Sequence, residues 1–188
     1  SRVLDIASGT GDVSFALARA KRPAHIQLTD LVPEMLEIAK KRYAEGASKD
    51  TPFAFEVVDA QQIPYPNDSF DVVTVAYGLR NMPDRERALR EMFRVLKPGG
   101  TLVCLEFSRP HARVVRALYH FYLKHLIPFW GGLITKDREG FVYLSDSIKA
   151  FPDQKQFASL FSGAGFTQVE WVDFTGGIAA VHTGVKPG

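Results

Sequence analysis

The alternation of short strands with longer helices along this sequence constrains its fold more than any other feature. Helical patterns cover residues 13–20 and 84–96, and a third begins at Pro33, a favoured first position of a helix. The run at residues 70–77 is almost continuously apolar, as strands buried on both faces of a sheet are. Further strand-like runs lie at residues 3–7, 25–29, 53–58 and 101–107. Strands separated by helices of this length predict a doubly wound parallel sheet.

The chain changes character after residue 108. Residues 114–127 have a helical and unusually aromatic pattern, and a further helix is predicted over residues 153–164. Two last strands, at residues 167–174 and 178–185, are joined by so short a connection that they must pair antiparallel. The sequence thus predicts an α/β fold with a mostly parallel, seven-stranded sheet and a C-terminal antiparallel hairpin. This is the layout of the Rossmann-like methyltransferase fold that uses S-adenosylmethionine (SAM).

Size and composition exclude several classes of protein. The 188 residues suit a single domain, and 46% hydrophobic with 23% charged residues excludes disordered and fibrous chains. Because 23 basic residues nearly balance 21 acidic ones, we expect no nucleic-acid partner. The single cysteine, Cys104, fits a reducing compartment. No signal peptide or run of about 20 apolar residues is visible, so we expect a soluble, cytoplasmic protein.

A glycine-rich turn follows the first predicted strand, at residues 5–12 (Asp-Ile-Ala-Ser-Gly-Thr-Gly-Asp). Open α/β sheets bind nucleotides at such a strand–helix turn. Gly9 and Gly11 lack a Cβ and allow the backbone to approach a ligand closely. A glycine pair by itself is weak evidence, because it also suits any tight turn between a strand and a helix.

Two carboxylates strengthen the prediction of a nucleotide site. Asp30 ends the second strand, beside the glycine turn, where a carboxylate can accept hydrogen bonds from both ribose hydroxyls. Asp59 follows the third strand and can hold an adenine amino group, while Ala60 leaves room for the flat base. Each acid alone would more often be a cap or a solvated residue. Together with Asp5 they stand at successive strand ends, which indicates a bound nucleoside.

A nicotinamide-dependent dehydrogenase is the main alternative for this architecture. Its fingerprint requires a third glycine, and here that position is Ser14. No tyrosine in the chain is followed four residues later by lysine, so a common dehydrogenase pair is absent as well. The residues therefore favour SAM as the cofactor.

Several motifs resemble the ubiquinone/menaquinone C-methyltransferase family. Besides the glycine turn they are Tyr-Gly-Leu-Arg-Asn at 77–81, Arg-Val-Leu-Lys-Pro-Gly-Gly at 94–100, Leu-Glu-Phe-Ser at 105–108, Tyr-Leu at 143–144 with Ser-Ile at 147–148, and Thr-Gly-Gly-Ile at 175–178 with His-Thr-Gly at 182–184. The resemblance runs from residue 3 to about 186. It implies methylation of a ring carbon in a polyprenylated benzoquinol or naphthoquinol, and the residues do not choose between the two. It also implies a helical segment before the first strand, which we expect to be missing here, leaving an open cleft beside Gly9, Asp30 and Tyr77.

The resemblance also assigns residues to the cofactor. Position by position it implies SAM contacts from Thr10, Asp30, Asp59 and Ala60, within a site that includes Asp5, Gly9 and Gly11. Ala76 stands where the family often has serine, so a contact there has to come from backbone or packing. Ser8 replaces the glycine or cysteine common in the turn.

Arg80 and Asn81 are the predicted catalytic residues. They follow the fourth strand, at the edge where ligands of such sheets bind, and the charge of Arg80 can favour a phenolate. Arginine is a poor base, so water or another group has to accept the proton. Asn81 can orient a ring oxygen or the methionine part of SAM. Without the resemblance, a surface ion pair is the more frequent role of a loop arginine. His182 is interpreted as a structural residue more readily than as a proton acceptor.

Other partners and functions stay open at this point. The aromatic residues 117–130 suit core packing, or a lid for a polyprenyl tail with transient contact to the inner membrane, near Lys124, Lys136 and Arg138. In a eukaryote the corresponding place is the mitochondrial matrix. A homodimer is possible, and no cluster of residues suggests a metal. The alternatives are a methyltransferase for another lipid or small phenol, and a catalytically silent assembly subunit.

Overall fold

The computed structural model describes residues 1–21, 23–46, 50–110, 119 and 138–188. In chain order, the strands that it describes are β1 Arg2–Ile6, β2 His25–Asp30, β3 Phe53–Val57, β4 Phe70–Ala76, β5 Leu96–Phe107, β6 Thr167–Phe174 and β7 Ala179–Val185. The described α-helices are α1 Asp12–Lys21, α2 Pro33–Ala44, α3 Arg85–Val95, α4 Arg138–Ala150 and α5 Gln154–Gly163. Short 3-10 turns lie at Leu79–Asn81 and Thr175–Gly177.

The seven strands form one sheet in the order β3-β2-β1-β4-β5-β7-β6. Strands β1 to β5 pair parallel, and β7 runs antiparallel to both β5 and β6. The predicted parallel sheet with a C-terminal antiparallel hairpin is therefore confirmed. The chain winds outward from β1 to β3 and then returns to β4, so the order of the strands reverses between β1 and β4. Ligands of open α/β sheets bind at the carboxyl edge of such a reversal.

Both faces of the sheet are covered, as parallel strands require. On one face Val3, Ile26 and Leu28 pack with Leu36 of α2 and Ala18 of α1. The opposite face forms the larger core, in which side chains of β1 and β4 pack against α3 and α5: Leu4, Ile6, Val73, Val75, Leu89, Met92, Val95, Phe157 and Phe161. Neighbouring residues of a strand point to opposite faces, which explains why Val3 and Leu4 enter different clusters.

The start of β5 differs from the prediction. The helix at 84–96 and the strand at 101–107 that the sequence predicts leave Lys-Pro-Gly-Gly at 97–100 as a turn between them. In the structure β5 begins at Leu96, which pairs with Phe70, and the register then jumps so that Val72 pairs with Thr101. The turn residues are thus a bulge within the strand, held by hydrogen bonds between residues 99–100 and Lys186 (2.9 Å each).

Helix α4 was not predicted from the sequence. Its apolar residues Phe141, Leu144 and Ile148 follow helical spacing, a signal that could have revealed it. The helix predicted over residues 114–127 and the aromatic segment 117–130 lie outside the described residues, apart from the single position 119. None of the helices that the structure describes has the length and apolar character needed to cross a membrane.

Candidate active site

The carboxyl ends of β1 and β4 are each followed by a residue with a strained backbone conformation. Ala7 after β1 has a φ of 50° and Tyr77 after β4 has a φ of 55°. Non-glycine residues adopt this left-handed region at a cost, and such residues concentrate at functional sites. Gly78 makes the close approach possible, because a Cβ there would lie 2.5 Å from the Cβ of Ala7. The two strand ends are therefore pressed together at the edge where a ligand is expected.

An open cavity of about 260 Å³ lies at this edge. This volume is close to the lower end of the range of small-molecule pockets, ~300–1,000 Å³. Its walls come from the turn after β1 and from the end of β4: Asp5, residues 7–10, Asp12, Val13, Ala76 and Tyr77. The cavity therefore brings together the predicted residues Asp5, Gly9, Thr10 and Ala76. We refer to it as the strand-edge cavity.

The two glycines of the turn have different roles in its shape. Gly9 has a φ of 54°, and a Cβ there would meet no atom within 4 Å, so its backbone borders open space. Gly11 has a φ of 84°, and a Cβ there would lie 2.8 Å from the ring of Phe15. Gly11 therefore keeps α1 packed closely against the turn, whereas Gly9 leaves its backbone accessible to a ligand.

Asp5 lies at the floor of the strand-edge cavity and is 1% exposed. Its two carboxylate oxygens accept hydrogen bonds from the hydroxyl groups of Ser14 (2.5 Å) and Thr74 (2.6 Å). Burial raises the pKa of Asp5 to about 6, although both hydroxyl groups act in the opposite direction. Ser14, the residue that replaces the third glycine of the dehydrogenase fingerprint, thus ties α1 to β1 through Asp5.

Asp30 lies next to the glycine turn, as predicted, although it is not part of the cavity wall. Its carboxylate accepts hydrogen bonds from the backbone N–H of Gly9 (2.8 Å) and of Val32 (2.9 Å). Each oxygen retains a second acceptor position, because a carboxylate oxygen accepts two hydrogen bonds. Asp30 is therefore placed to fix Gly9 and also to accept from a ligand hydroxyl. The cleft was predicted beside Gly9, Asp30 and Tyr77, and the strand-edge cavity borders Gly9 and Tyr77 but not Asp30.

Arg42 of α2, which the sequence analysis missed, holds the other side of the turn. Its guanidinium donates to the carbonyl oxygen (2.7 Å) and the hydroxyl (3.1 Å) of Thr10, and to the carboxylate of Asp12 (2.8 Å). Arg42 also lies over the ring of Phe15, 5.2 Å from its centroid. These contacts lower the pKa of Asp12, and the hydrogen bond from Arg42 is the largest cause. No local pattern predicts a contact between residues so far apart in sequence.

Asp59 and Ala60 follow β3, apart from the strand-edge cavity. Asp59 is exposed, and its carboxylate accepts a hydrogen bond from the backbone N–H of Gln61 (2.8 Å). The side chain of Ala60 is buried in the larger core. Their assignment to the adenine end of the cofactor stays a prediction.

Arg80 forms a buried ion pair with Glu106 at the end of β5. Arg80 Nη1 lies 2.9 Å from Glu106 Oε1, with side-chain exposures of 12% for Arg80 and 1% for Glu106. Nη1 also donates to the carbonyl oxygen of Tyr77. The guanidinium lies over the rings of Tyr77 and Phe107, 5.8 and 5.3 Å from their centroids. Arg80 is therefore in a buried ion pair and not in a surface one. It contacts Tyr77, and Tyr77 lines the strand-edge cavity.

Asn81 contacts helix α4. The hydroxyl of Tyr143 donates to Asn81 Oδ1 at 3.2 Å, and both residues are exposed. Tyr143 belongs to one of the motifs singled out in the sequence, and this contact brings α4 to the same sheet edge as Arg80. The catalytic roles of Arg80 and Asn81 stay predictions.

His182 has the surroundings of a structural residue. It is 2% exposed, its Nε2 lies 3.0 Å from the carbonyl oxygen of Gln154, and its ring packs between Phe157 and Trp171. Burial lowers the pKa of His182, which favours the neutral ring. Within the described ranges, no three His, Cys, Asp or Glu side chains come together in a way that suits a metal ion.

The chemistry of these groups fits SAM. The uncovered backbone at Gly9 accommodates a bulky ligand, and Asp30 beside it supplies an acceptor for hydroxyl groups. Asp5 lines the cavity, and both of its carboxylate oxygens accept hydrogen bonds from Ser14 and Thr74, so it also holds those two residues in place. The strand-edge cavity thus suits a neutral-to-cationic nucleoside bordered by carboxylates and backbone amides.

Comparison with known proteins agrees with the geometry. The ubiE/COQ5 methyltransferase family matches residues 1–186. The chain is 42% identical over 187 residues to the ubiquinone/menaquinone biosynthesis C-methyltransferase UbiE of Cellvibrio japonicus, covering 99% of this chain and 75% of that protein. It is 43% identical to the UbiE protein of Geotalea daltonii, covering 98% and 78%.

Similarity among solved structures supports the fold. A SAM-dependent methyltransferase from Thermotoga maritima, described as a possible histamine N-methyltransferase, superposes with a TM-score of 0.67 at 21% identity, over 98% of this chain and 82% of that one. A sheet of this order with a cavity at its reversal, and a family match over nearly all of its length, establish the chain as a SAM-dependent methyltransferase of the ubiE/COQ5 methyltransferase family.

Proposed function

We propose that this chain methylates a ring carbon of a polyprenylated quinol: demethylmenaquinol to give menaquinol, a polyprenyl-methoxybenzoquinol of ubiquinone biosynthesis, or both. One observation carries the proposal. The strand-edge cavity ends at Tyr77, and the backbone carbonyl of Tyr77 accepts a hydrogen bond from Arg80. A cofactor site and a fixed cation are thus separated by a single residue, an arrangement that supports methyl transfer to an ionisable phenol.

Each part of the site has a distinct task in this reaction. Gly9, Thr10 and Asp30 would hold the cofactor, and Tyr77 lies between the cofactor cavity and Arg80. When bound, SAM would supply a methyl group carried on a sulfonium sulfur. The C–S bond breaks as the ring carbon forms the new C–C bond, and the sulfur is left as a neutral thioether. Holding the ring carbon in line with the methyl carbon and the sulfonium sulfur lowers the barrier by roughly several kcal/mol.

The acceptor has to become electron-rich before it attacks. Loss of the proton of the neighbouring hydroxyl pushes charge into the ring, and the guanidinium of Arg80 stabilises the resulting phenolate. Arg80 does not take that proton, because arginine stays protonated; we assign the proton to water. After the methyl group has been added, the ring C–H proton passes to water and the ring becomes aromatic again. The phenolate oxygen then takes back one proton from water, so the reaction releases one proton in total. Asn81, held by Tyr143, orients a ring oxygen.

A polyprenyl tail brings the chain to the surface of the inner membrane without insertion. An exposed apolar stripe at the start of α2 supports this contact: Leu31, Val32, Met35 and Ile38 are 40–64% exposed, close in sequence to Asp30. The predicted anchors Lys124 and Lys136 lie outside the described residues, and nothing is described of the side chain of Arg138. We assign no role to nucleic acid.

A second copy of the chain is the protein partner in this proposal. Strand β6 is the edge of the sheet, and its Val172 and Phe174 are 62% and 50% exposed. An uncovered edge strand presents unpaired backbone groups to another chain. Sedimentation equilibrium should give a dimer, and V172K should shift it to monomer.

The test of the function is a direct assay on the full chain. The protein is incubated with methyl-labelled SAM and either a short-tailed demethylmenaquinol or a methoxybenzoquinol, under reducing conditions, and products are identified by mass spectrometry. We expect the mass of at least one quinol to rise by one methylene group, with the label on a ring carbon. SAM binding in calorimetry without transfer to either quinol would refute the proposal and favour a catalytically silent subunit. Label on an oxygen would assign a different methyltransferase reaction.

A further inference from the structure

Glu106 is a buried carboxylate whose hydrogen bonds are devoted to one part of the active-site edge. Its Oε2 accepts from the backbone N–H of Arg80 (3.2 Å), and its Oε1 accepts from Arg80 Nη1 (2.9 Å) and from the backbone N–H of Phe107 (3.0 Å). Two of the three donors thus belong to Arg80, 26 positions earlier in the chain. Glu106 holds both the backbone and the side chain of that residue.

The buried ion pair between Glu106 and Arg80 is not explained by a gain in stability. Taking a carboxylate and a guanidinium out of water costs several kcal/mol each, roughly, and well-packed apolar residues are often as stabilising as a buried ion pair. Burial also raises the pKa of Glu106, and the charge of Arg80 acts against this rise. An ion pair kept at such a cost beside a cofactor cavity indicates a role in orientation.

Part of the hydrogen-bonding capacity of Arg80 is unused. Nη1 is used by Glu106 and by Tyr77, while Nε is buried and has no hydrogen-bond partner among the residues that the structure describes. The rings of Tyr77 and Phe107, 4.7 Å apart, lie against the guanidinium and restrict its rotation. The carboxylate is more deeply buried than the cation, so the positive end of the pair lies nearer to the surface.

We infer that Glu106 is the positioning residue for Arg80 in the methyl transfer proposed above, on which this inference rests. Its carboxylate fixes one edge of the guanidinium, so that the remaining donors point toward the oxygen of the acceptor as it loses its proton. Glu106 does not touch the acceptor and does not accept its proton, since only 1% of its side chain is exposed. This role of Glu106 leaves the proposed reaction unchanged: a C–C bond forms, the C–S bond breaks, and a proton is released to water.

The test begins with E106Q, which preserves shape and removes charge. An amide has one acceptor oxygen and a donating NH₂ group, so it cannot receive the three hydrogen bonds of the carboxylate, and Arg80 loses its fixed orientation. We expect kcat to fall at least ~10-fold, with the affinity for SAM within about twofold of the natural protein. D71N is the matched control, because it breaks the ion pair with Lys97 near the start of β4, and it should leave kcat unchanged.

A double variant separates positioning from an unrelated structural effect. If Glu106 acts through Arg80, E106Q combined with R80K should be no slower than the slower single variant. Losses that multiply in the double variant, or a kcat of E106Q equal to that of the natural protein, would overturn the inference. Turnover is expressed per folded, SAM-binding protein, so that a smaller folded fraction does not imitate the expected result.

A second readout does not depend on turnover. In ¹⁵N spectra of the full chain, a guanidinium held on one edge gives separate Nη resonances, and a freely rotating one gives an average. We expect separate Arg80 resonances, assigned by their loss in R80K, and averaging in E106Q with the backbone spectrum preserved. Unchanged resonances in E106Q would overturn the inference. If the natural protein binds SAM but methylates no quinol, the proposed function fails, and this readout alone decides whether Glu106 positions Arg80.

Discussion

Replacing Asp5 by asparagine should change how the stability of this protein depends on pH. Burial raises the pKa of Asp5 to about 6 from 3.8. The folded protein therefore binds this proton more tightly than the unfolded chain does. The stability contributed by the protonated form is fully present below pH 3.8 and is lost as the pH rises through about 6. At 1.36 kcal/mol per unit, the free energy of unfolding should fall by about 3 kcal/mol across this window.

Asparagine removes the titration and keeps the contacts. Its amide oxygen can accept from one of the hydroxyl groups of Ser14 and Thr74, and its NH₂ group can donate to the other. Urea unfolding of both proteins at intervals from pH 4 to pH 7.5 gives the difference in the free energy of unfolding. From pH 4 to pH 7.5, D5N should become more stable relative to the natural protein by about 2–3 kcal/mol. All other titrating groups are shared by the two proteins, so the change reports on Asp5.

D71N provides a control of opposite sign. The hydrogen bond from Lys97 is the main cause of the lowered pKa of Asp71. Its contribution is therefore present above the unfolded pKa and is lost as the pH falls toward the lowered folded value. The difference between D71N and the natural protein should stay flat above about pH 5 and change only in acid. A difference between D5N and the natural protein that does not vary with pH would refute our account of Asp5.

Three further predictions concern the turn and one helix. D30A should weaken SAM binding by about 1.5–3 kcal/mol in calorimetry, from loss of hydrogen bonds to a charged acceptor; unchanged affinity in a folded variant removes Asp30 from the site. R42M should weaken SAM binding roughly 2- to 10-fold by releasing Thr10, whereas K40M, which breaks an exposed pair with Glu37 on the same helix, should not. D153A removes the capping box of α5 and should lower the free energy of unfolding by about 1 kcal/mol. D146A, which loses only an exposed pair with Lys149, should cost less than ~0.5 kcal/mol, and equal losses would contradict the role of the cap.

The features that were predicted correctly rest on local patterns. Alternating strands and helices implied the parallel sheet, and the short connection after β6 implied the antiparallel hairpin. The proximity of Asp30 to Gly9 followed from the same reasoning, because parallel neighbours end at one edge. Helix α4 was missed although its spacing carried a signal, and the bulge at the start of β5 was missed because turn residues were taken to lie outside the strand.

The sequence by itself determined the alternation of strands and helices, the C-terminal antiparallel hairpin, and the set of polar residues at the strand ends. These follow from hydrophobic period, glycine positions and the direction of strands, all of which are local. Only the tertiary structure decided how those residues are paired: Asp5 with two hydroxyl groups, Arg42 with Thr10, and Arg80 with Glu106. Such pairs join residues far apart in the chain, and they depend on strand register and burial, which no segment of the sequence specifies alone.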